Sequence, residues 1–532
     1  MKMRSEIRRQ KLIRISVELT TLAALLLGIF TPKLGSSASM MYPRMQLPLM
    51  MIIISAIVTL IFGGSLKFPT RKSIGIGLVF PGYLLIRSLF DSPIILSLIG
   101  NYERNLGVLT YLACFLFYFV GLVLMLNCPR AIVRILAIIL SIEILWLSIN
   151  LLSQNSLVKN GIFNNSNAES FFLSILLVSI SVFLIENLNG RFKILLVAPS
   201  IALSSLLVLI WLESTQGILG YSITVLLYIC HRHISNSSNF SVLVRLVLLG
   251  GFTAFLSFVF LKSIPRYEFV DTNSFYERLE IYKTSILGVR ENPFFGGGID
   301  RFNEVYFSLN LSENLKLVDN AHSIPLQLLA TTGLCGFIAW LILFLSAIKI
   351  PIHKNSPIPT ALYFGVLAYL ITGLFGIQVP GIEFVVYLML GGISASVPIG
   401  RHEGVSAKAR KVHTGILVSL LVISFLQLST YLSQVNKFDN IAYSEAKYNK
   451  GKQDFFMEIQ EISDIGLLLN AGKFSIRTGD REFSLLVLKQ MINLNSLDQR
   501  TIAFALQLAG EWDNTELQKI GNDLNLKARN KS

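Results

Sequence analysis

Gly107-Val-Leu-Thr-Tyr-Leu-Ala-Cys-Phe-Leu-Phe-Tyr-Phe-Val-Gly-Leu-Val-Leu-Met-Leu-Asn127 contains no charged side chain. A run of this length and apolarity crosses the ~30 Å hydrocarbon core of a bilayer as an α-helix. Similar runs precede it at 12–31, 47–65 and 73–90. Others follow at 131–152, 168–186, 192–212, 215–231, 242–262, 324–348, 358–377, 380–398 and 413–433. The whole chain agrees: of 532 residues, 53% are hydrophobic and 15% charged, with a mean hydropathy of +0.61, outside the balance of a soluble domain. The expected fold is an all-α polytopic membrane protein of about thirteen transmembrane helices.

Lys and Arg in short loops mark the cytoplasmic side. Lys2, Arg4, Arg8, Arg9, Lys11 and Arg14 precede the first run, and alternate loops on that side receive Lys67, Arg71 and Lys72, then Arg130, Arg191 and Lys193, Arg232, Lys349 and Lys354, and Arg401 to Lys411. The opposite loops hold little beyond Lys33, Arg44, Arg104 and Lys159. The N-terminus is therefore expected in the cytoplasm, and both the interval 264–322 and the tail after 433 outside. The basic start and Ser36-Ser37-Ala38-Ser39 also fit a signal peptide, but the long apolar stretch and the runs that follow favour an uncleaved first span. The net charge of +14 is accounted for largely by the cytoplasmic loops, so no nucleic-acid partner is read from it. Cys114, Cys128, Cys230 and Cys335 all lie in or near spans, which indicates neither a disulfide framework nor a zinc site.

Two domains follow from the composition: a membrane domain over 1–433 and a soluble α-helical domain over 434–532. In the second, Gly451, Gly479 and Gly510 each precede an amphipathic stretch, at a spacing slightly under the ~34-residue period of tetratricopeptide repeats. A degenerate helical-hairpin array and an irregular bundle of short helices both fit.

The polar interval from about 264 to 322 is the longest hydrophilic break in the membrane domain, and loops of that length in compact assemblies usually carry function. It contains Ser274-Phe-Tyr-Glu-Arg-Leu-Glu-Ile-Tyr282, then Arg290-Glu-Asn-Pro-Phe-Phe-Gly-Gly-Gly298, then Asn320-Ala-His322. The first reads as an amphipathic helix with Arg278 and Tyr282 on one face. A guanidinium can grip a diphosphate oxygen through two parallel hydrogen bonds, and an imidazole accepts a proton near neutral pH. Arg278 and His322 are accordingly the catalytic candidates, and the plainer readings are a surface ion pair with Glu277 or Glu280 and a packed boundary histidine. Arg290 and Arg301 flank the glycines as further cations. The glycine run lacks the Lys-Ser/Thr ending of a phosphate loop and reads as a tight turn after Pro293. Arg87, Asp91, Arg104, Glu213, Gln216, Lys262 and Glu383 also fall at the expected outer boundary. Charges there can be simple anchorage, or can form a cationic pocket for a polyprenyl diphosphate. No carboxylate pair in the loop has metal-ligand spacing.

Arg278-Leu-Glu-Ile-Tyr282, Asn292-Pro-Phe-Phe-Gly-Gly-Gly298, Asn320-Ala-His322 and Leu328-Leu-Ala-Thr-Thr-Gly-Leu-Cys-Gly336 resemble the signature of the O-antigen ligase and polymerase superfamily of bacterial membrane glycosyltransferases. Gly100-Asn-Tyr-Glu-Arg-Asn-Leu-Gly107 and Ser214-Thr-Gln-Gly217 are similar to its earlier motifs, and the resemblance covers about residues 100–400. It implies an inverting, metal-independent and cofactor-free transfer of a glycan from undecaprenyl diphosphate to a sugar or glycolipid hydroxyl, as in lipopolysaccharide assembly at the bacterial inner membrane. Arg278 would hold the diphosphate and His322 would activate the acceptor. The tail would offer a surface to the acceptor or to a protein partner. Three positions depart from the family: Gln216 stands where Arg is usual, Ser323 where Asn is usual, and Thr332 where Glu is usual. The lost arginine leaves a diphosphate contact to Arg104 or Arg87, with a different donor or an inactive protein as the other outcomes. A transporter or flippase of amphiphilic substrates is the rival class. It would carry paired repeats and mid-membrane charges, whereas here Glu143 is almost the only acid deep in a run.

Overall fold

The computed structural model describes residues 2–29, 67–91, 94–100, 104–152, 162–163, 165–187, 191–212, 214–234, 272–309, 318, 320–348, 356–396 and most of 468–530. The runs at 47–65, 242–262 and 413–433 lie outside these residues. Among the described residues every regular element is a helix. In chain order they are α1 (Lys2–Ile29), α2 (Arg71–Ser88), α3 (Ile94–Ile99), α4 (Val108–Asn127), α5 (Pro129–Leu152), α6 (Ser166–Asn187), α7 (Arg191–Trp211) and α8 (Thr215–Ile234). The polar interval supplies α9 (Thr272–Glu291) and α10 (Phe302–Leu309), followed by α11 (Ile324–Ile348), α12 (Pro357–Gly373) and α13 (Pro380–Ala395). The tail contains α14 (Arg481–Asn495), α15 (Gln499–Glu511) and α16 (Thr515–Asn530).

Each expected span within the described residues coincides with a helix. Five of these helices (α1, α4, α5, α6 and α11) are long and apolar enough to cross a membrane by length and composition. The chain is thus an α-helical membrane protein, while the count of about thirteen spans stays an expectation.

Burial separates the centre of the bundle from its rim. Helix α4 is enclosed along most of its length, with Phe117, Tyr118 and Val120 fully buried. It lies closest to α13, where Gly121 meets the Leu388 carbonyl and Gly391 meets the Tyr118 carbonyl, leaving no room for a Cβ at either glycine. Small residues at such a crossing let two backbones approach, and dispersion then holds the helices together where lipid removes the hydrophobic drive. Phe171 of α6, Tyr369 of α12 and Phe344 of α11 stack in sequence with centroids 5.5 Å apart at each step, joining three helices across the core. By contrast, α5 leaves Leu145, Trp146 and Ile149 exposed, as a helix facing lipid does. Glu143 of α5 has an unforeseen neighbour, Glu169 in the first turn of α6. Both are fully buried and interact, and Glu169 also accepts the Phe163 N–H at 3.3 Å.

The tail helices close over their own core of Phe483, Met491, Phe504 and Leu508. Neighbours pack in sequence, α14 on α15 and α15 on α16, as both a helical-hairpin array and an irregular bundle would. Helix α10 of the polar interval lies against α15 and α16. The tail therefore sits on the same face of the bundle as the loop.

Candidate functional site

Helix α9 spans 272–291, longer than the amphipathic segment read from the sequence, and it brings Arg278 and Tyr282 onto the same face. Burial raises the Tyr282 hydroxyl above the ordinary phenol range, and the Arg278 charge opposes that rise. Tyr282 therefore stays protonated at neutral pH, and its O–H donates to the His322 carbonyl at 3.2 Å. One side chain thus links the helix that carries Arg278 to the backbone that carries His322.

His322 has a backbone φ of 49°, in the left-handed region. The turn is held from both sides. The His322 N–H donates to Asn320 Oδ1 at 2.8 Å, and the Ala321 N–H donates to Gln327 Oε1 at 2.8 Å. Beneath it, Ala321 packs with Ile281, Phe302, Tyr306 and Ala330 in a small apolar core separate from that of the bundle. The loop therefore has its own interior, which fixes His322 relative to α9, α10 and α11.

His322 and Arg104 line the same small cleft, together with Leu106, Asn320, Gln327 and Gln378. Arg104 donates to the Gln378 carbonyl at 3.4 Å. The lining is tied to the chain just past the glycine run, because the Leu106 N–H donates to Asp300 Oδ2 at 2.9 Å. Among the described residues four that are not glycine have positive φ; of these His322 lines the cleft, Asn105 lies between the lining residues Arg104 and Leu106, and Asp300 accepts from the Leu106 N–H. Strained backbone persists only where its surroundings over-determine it, and it concentrates at functional sites.

The glycine run does more than turn. Helix α11 breaks at Gly333, whose φ of 68° and ψ of −173° are open essentially to glycine alone. The groups freed by the break are taken up by 293–298. Gly297 and Gly298 donate to the Ala330 and Thr331 carbonyls at 2.8 and 3.0 Å, and the Leu334 and Cys335 N–H groups donate to Pro293 and Phe294 at 2.8 and 3.1 Å. Tyr83 of α2 caps the arrangement by donating to the Thr332 carbonyl at 2.7 Å. Thr332 is buried and donates to the Leu328 carbonyl of its own helix.

The remaining sequence candidates lie elsewhere. Arg87 pairs with Asp91 and donates to the Phe295 carbonyl at 3.2 Å, bracing the glycine turn. Gln216 is buried and donates to the Asn167 carbonyl at 2.6 Å, fastening α8 to the start of α6. Arg301 is buried and pairs with Glu304 at 3.8 Å. Arg290 is exposed at the end of α9. Sequence reasoning missed Gln378, which lines the cleft, and Asp300, which holds the Leu106 backbone behind it. Neither carries a signal by itself, and Gln378 matters only because the α12–α13 turn reaches the cleft. Among the described residues no three His, Cys, Asp or Glu side chains gather as metal ligands would.

Residues 162–341 match the family model Wzy_C, described as O-antigen ligase, a segment that includes α6 to α9, the glycine run, His322 and most of α11. No curated protein matches the chain.

Proposed function

Residues 162–341 match the O-antigen ligase family model, and from that match we propose that the protein is a membrane glycosyltransferase that transfers or polymerises a polyprenyl-diphosphate-linked glycan onto a sugar or glycolipid hydroxyl at the cleft. The observation that carries the reading is the convergence of a histidine and an arginine on one cleft, with Tyr282, one turn along α9 from Arg278, bonded to that histidine's carbonyl. In the proposed step, His322 takes the proton of the acceptor hydroxyl as its oxygen attacks the anomeric carbon. The bond to the diphosphate breaks on the opposite face, so a single displacement inverts the centre. Charge develops on the departing diphosphate, where fixed guanidinium groups lower the barrier. Arg278 is assigned that role, with Arg104 in place of the arginine absent at position 216.

The same assignment makes the reaction independent of divalent metal, since the cations stabilising the leaving group are side chains. Purified protein with lipid-linked donor should turn over equally in chelator and in magnesium. Activity lost in chelator and restored by magnesium would assign that charge to a metal ion instead.

We place the protein in the bacterial inner membrane with the cleft and the 434–532 domain on the extracytoplasmic side. Support comes from the loop charges and from the contact of α10 with α15 and α16. Alkaline phosphatase fused after Ser532 should be active in cells, and a conventional fluorescent protein at the same position should be dark. The reverse pattern would put the tail in the cytoplasm and require an even number of spans. Removing 435–532 should leave the bundle folded, because its helices satisfy their own backbone hydrogen bonds, and should alter acceptor choice or product length.

A further inference from the structure

We propose that 293–298 is a re-entrant element inserted into the bilayer leaflet on the side of the cleft, with Phe294 and Phe295 among the lipid acyl chains. The loop carrying Arg278 and His322 would thus be moored to the membrane at its midpoint. Two observations carry this, and neither depends on the chemistry assigned to the cleft.

Depth comes first. The turn pairs with 330–335, and Gly333 lies about 14 Å along α11 from its first residue at ~1.5 Å per residue. The turn therefore lies well inside the level at which that helix begins.

Surface is the second. Beyond the break, α11 exposes Leu334, Ile338, Ile342 and Leu345, at 43, 46, 43 and 39%. Their spacing of four, four and three puts them on one face, which in a membrane-crossing helix is the face that meets lipid. Phe294 and Phe295, exposed at 59 and 58%, continue that face from its Leu334 end. Arg87 joins Phe295 to the end of α2, where Ile86, Leu89 and Phe90 are exposed at 64, 67 and 79%. The apolar surface is thus continuous from a spanning helix onto the turn.

The test uses full-length protein in phospholipid vesicles. Phe294→Trp and Phe295→Trp are compared with Ile342→Trp as a lipid-facing control, with the emission of the four native tryptophans subtracted. The added emission should be quenched by brominated acyl chains to the extent seen at 342 and should be shielded from aqueous acrylamide. Quenching by acrylamide alone would place the turn in water, and quenching by neither would mean that protein covers it. Either result overturns the proposal. Because a tryptophan could disturb the turn, unaltered protein is also photolabelled from a phospholipid with a diazirine in its acyl chain. Label on the peptide containing Phe294 and Phe295 is expected, and its absence alongside labelled Ile342 would also overturn the proposal. A failure of glycan transfer has no bearing on either measurement.

Discussion

His322→Ala protein, expressed at the wild-type level, makes glycan product ~10²–10⁴-fold more slowly, the usual cost of removing a general base. The left-handed φ of 49° at this position complicates the alanine variant, since its Cβ keeps the strain while the imidazole is gone. His322→Asn resolves this. Asparagine tolerates the left-handed region and cannot act as a base near neutral pH, so the same loss in a protein of unchanged thermal stability assigns the effect to chemistry. Wild-type product in cells expressing His322→Asn would remove the mechanism. Arg278→Lys separates the other half of the site. It keeps the charge and loses the paired donors, so donor KM should rise by about tenfold, the scale of one charge-assisted hydrogen bond. Tyr282→Phe removes the 3.2 Å bond to the His322 carbonyl while leaving Arg278 in place. A slower turnover with unchanged donor KM is expected there.

Gly333→Ala should be the most damaging single change in the membrane domain that touches no proposed substrate contact. An alanine there would hold a conformation open essentially to glycine, costing ~1–3 kcal/mol, and its Cβ would also collide with the Phe294 backbone. That backbone cannot withdraw without breaking the hydrogen bonds that seal the gap in α11. The loop would separate from the bundle, and both the thermal midpoint and activity should fall. Gly82→Ala is the matched control. Gly82 lies inside α2 with nothing near the site of an added Cβ, so alanine should be neutral or stabilising by up to ~1 kcal/mol. If both variants melt alike, the break at Gly333 is not what holds the loop.

What the amino-acid sequence by itself determined is local. Among the described residues, apolar runs long enough to cross a bilayer became helices, most with bounds within about four residues of those expected and α1 starting ten residues earlier, because length and apolarity act along a single segment. The i, i+4 spacing of Arg278 and Tyr282 placed both on one face of α9 for the same reason. The glycine run was legible as a turn, since Pro293 and three glycines restrict and free the backbone locally. Only the tertiary structure decided the rest. It put Arg104, His322 and Gln378 in one cleft, bonded Asp300 to the Leu106 backbone of its lining, buried Gln216 away from it, and gave Glu143 the partner Glu169. It also turned the glycine run into the piece that closes a broken helix. Each of these depends on which helices are neighbours. That choice is made by shape and backbone approach between segments far apart in the chain, as where Gly121 meets the Leu388 carbonyl, and no periodicity within a single segment records it.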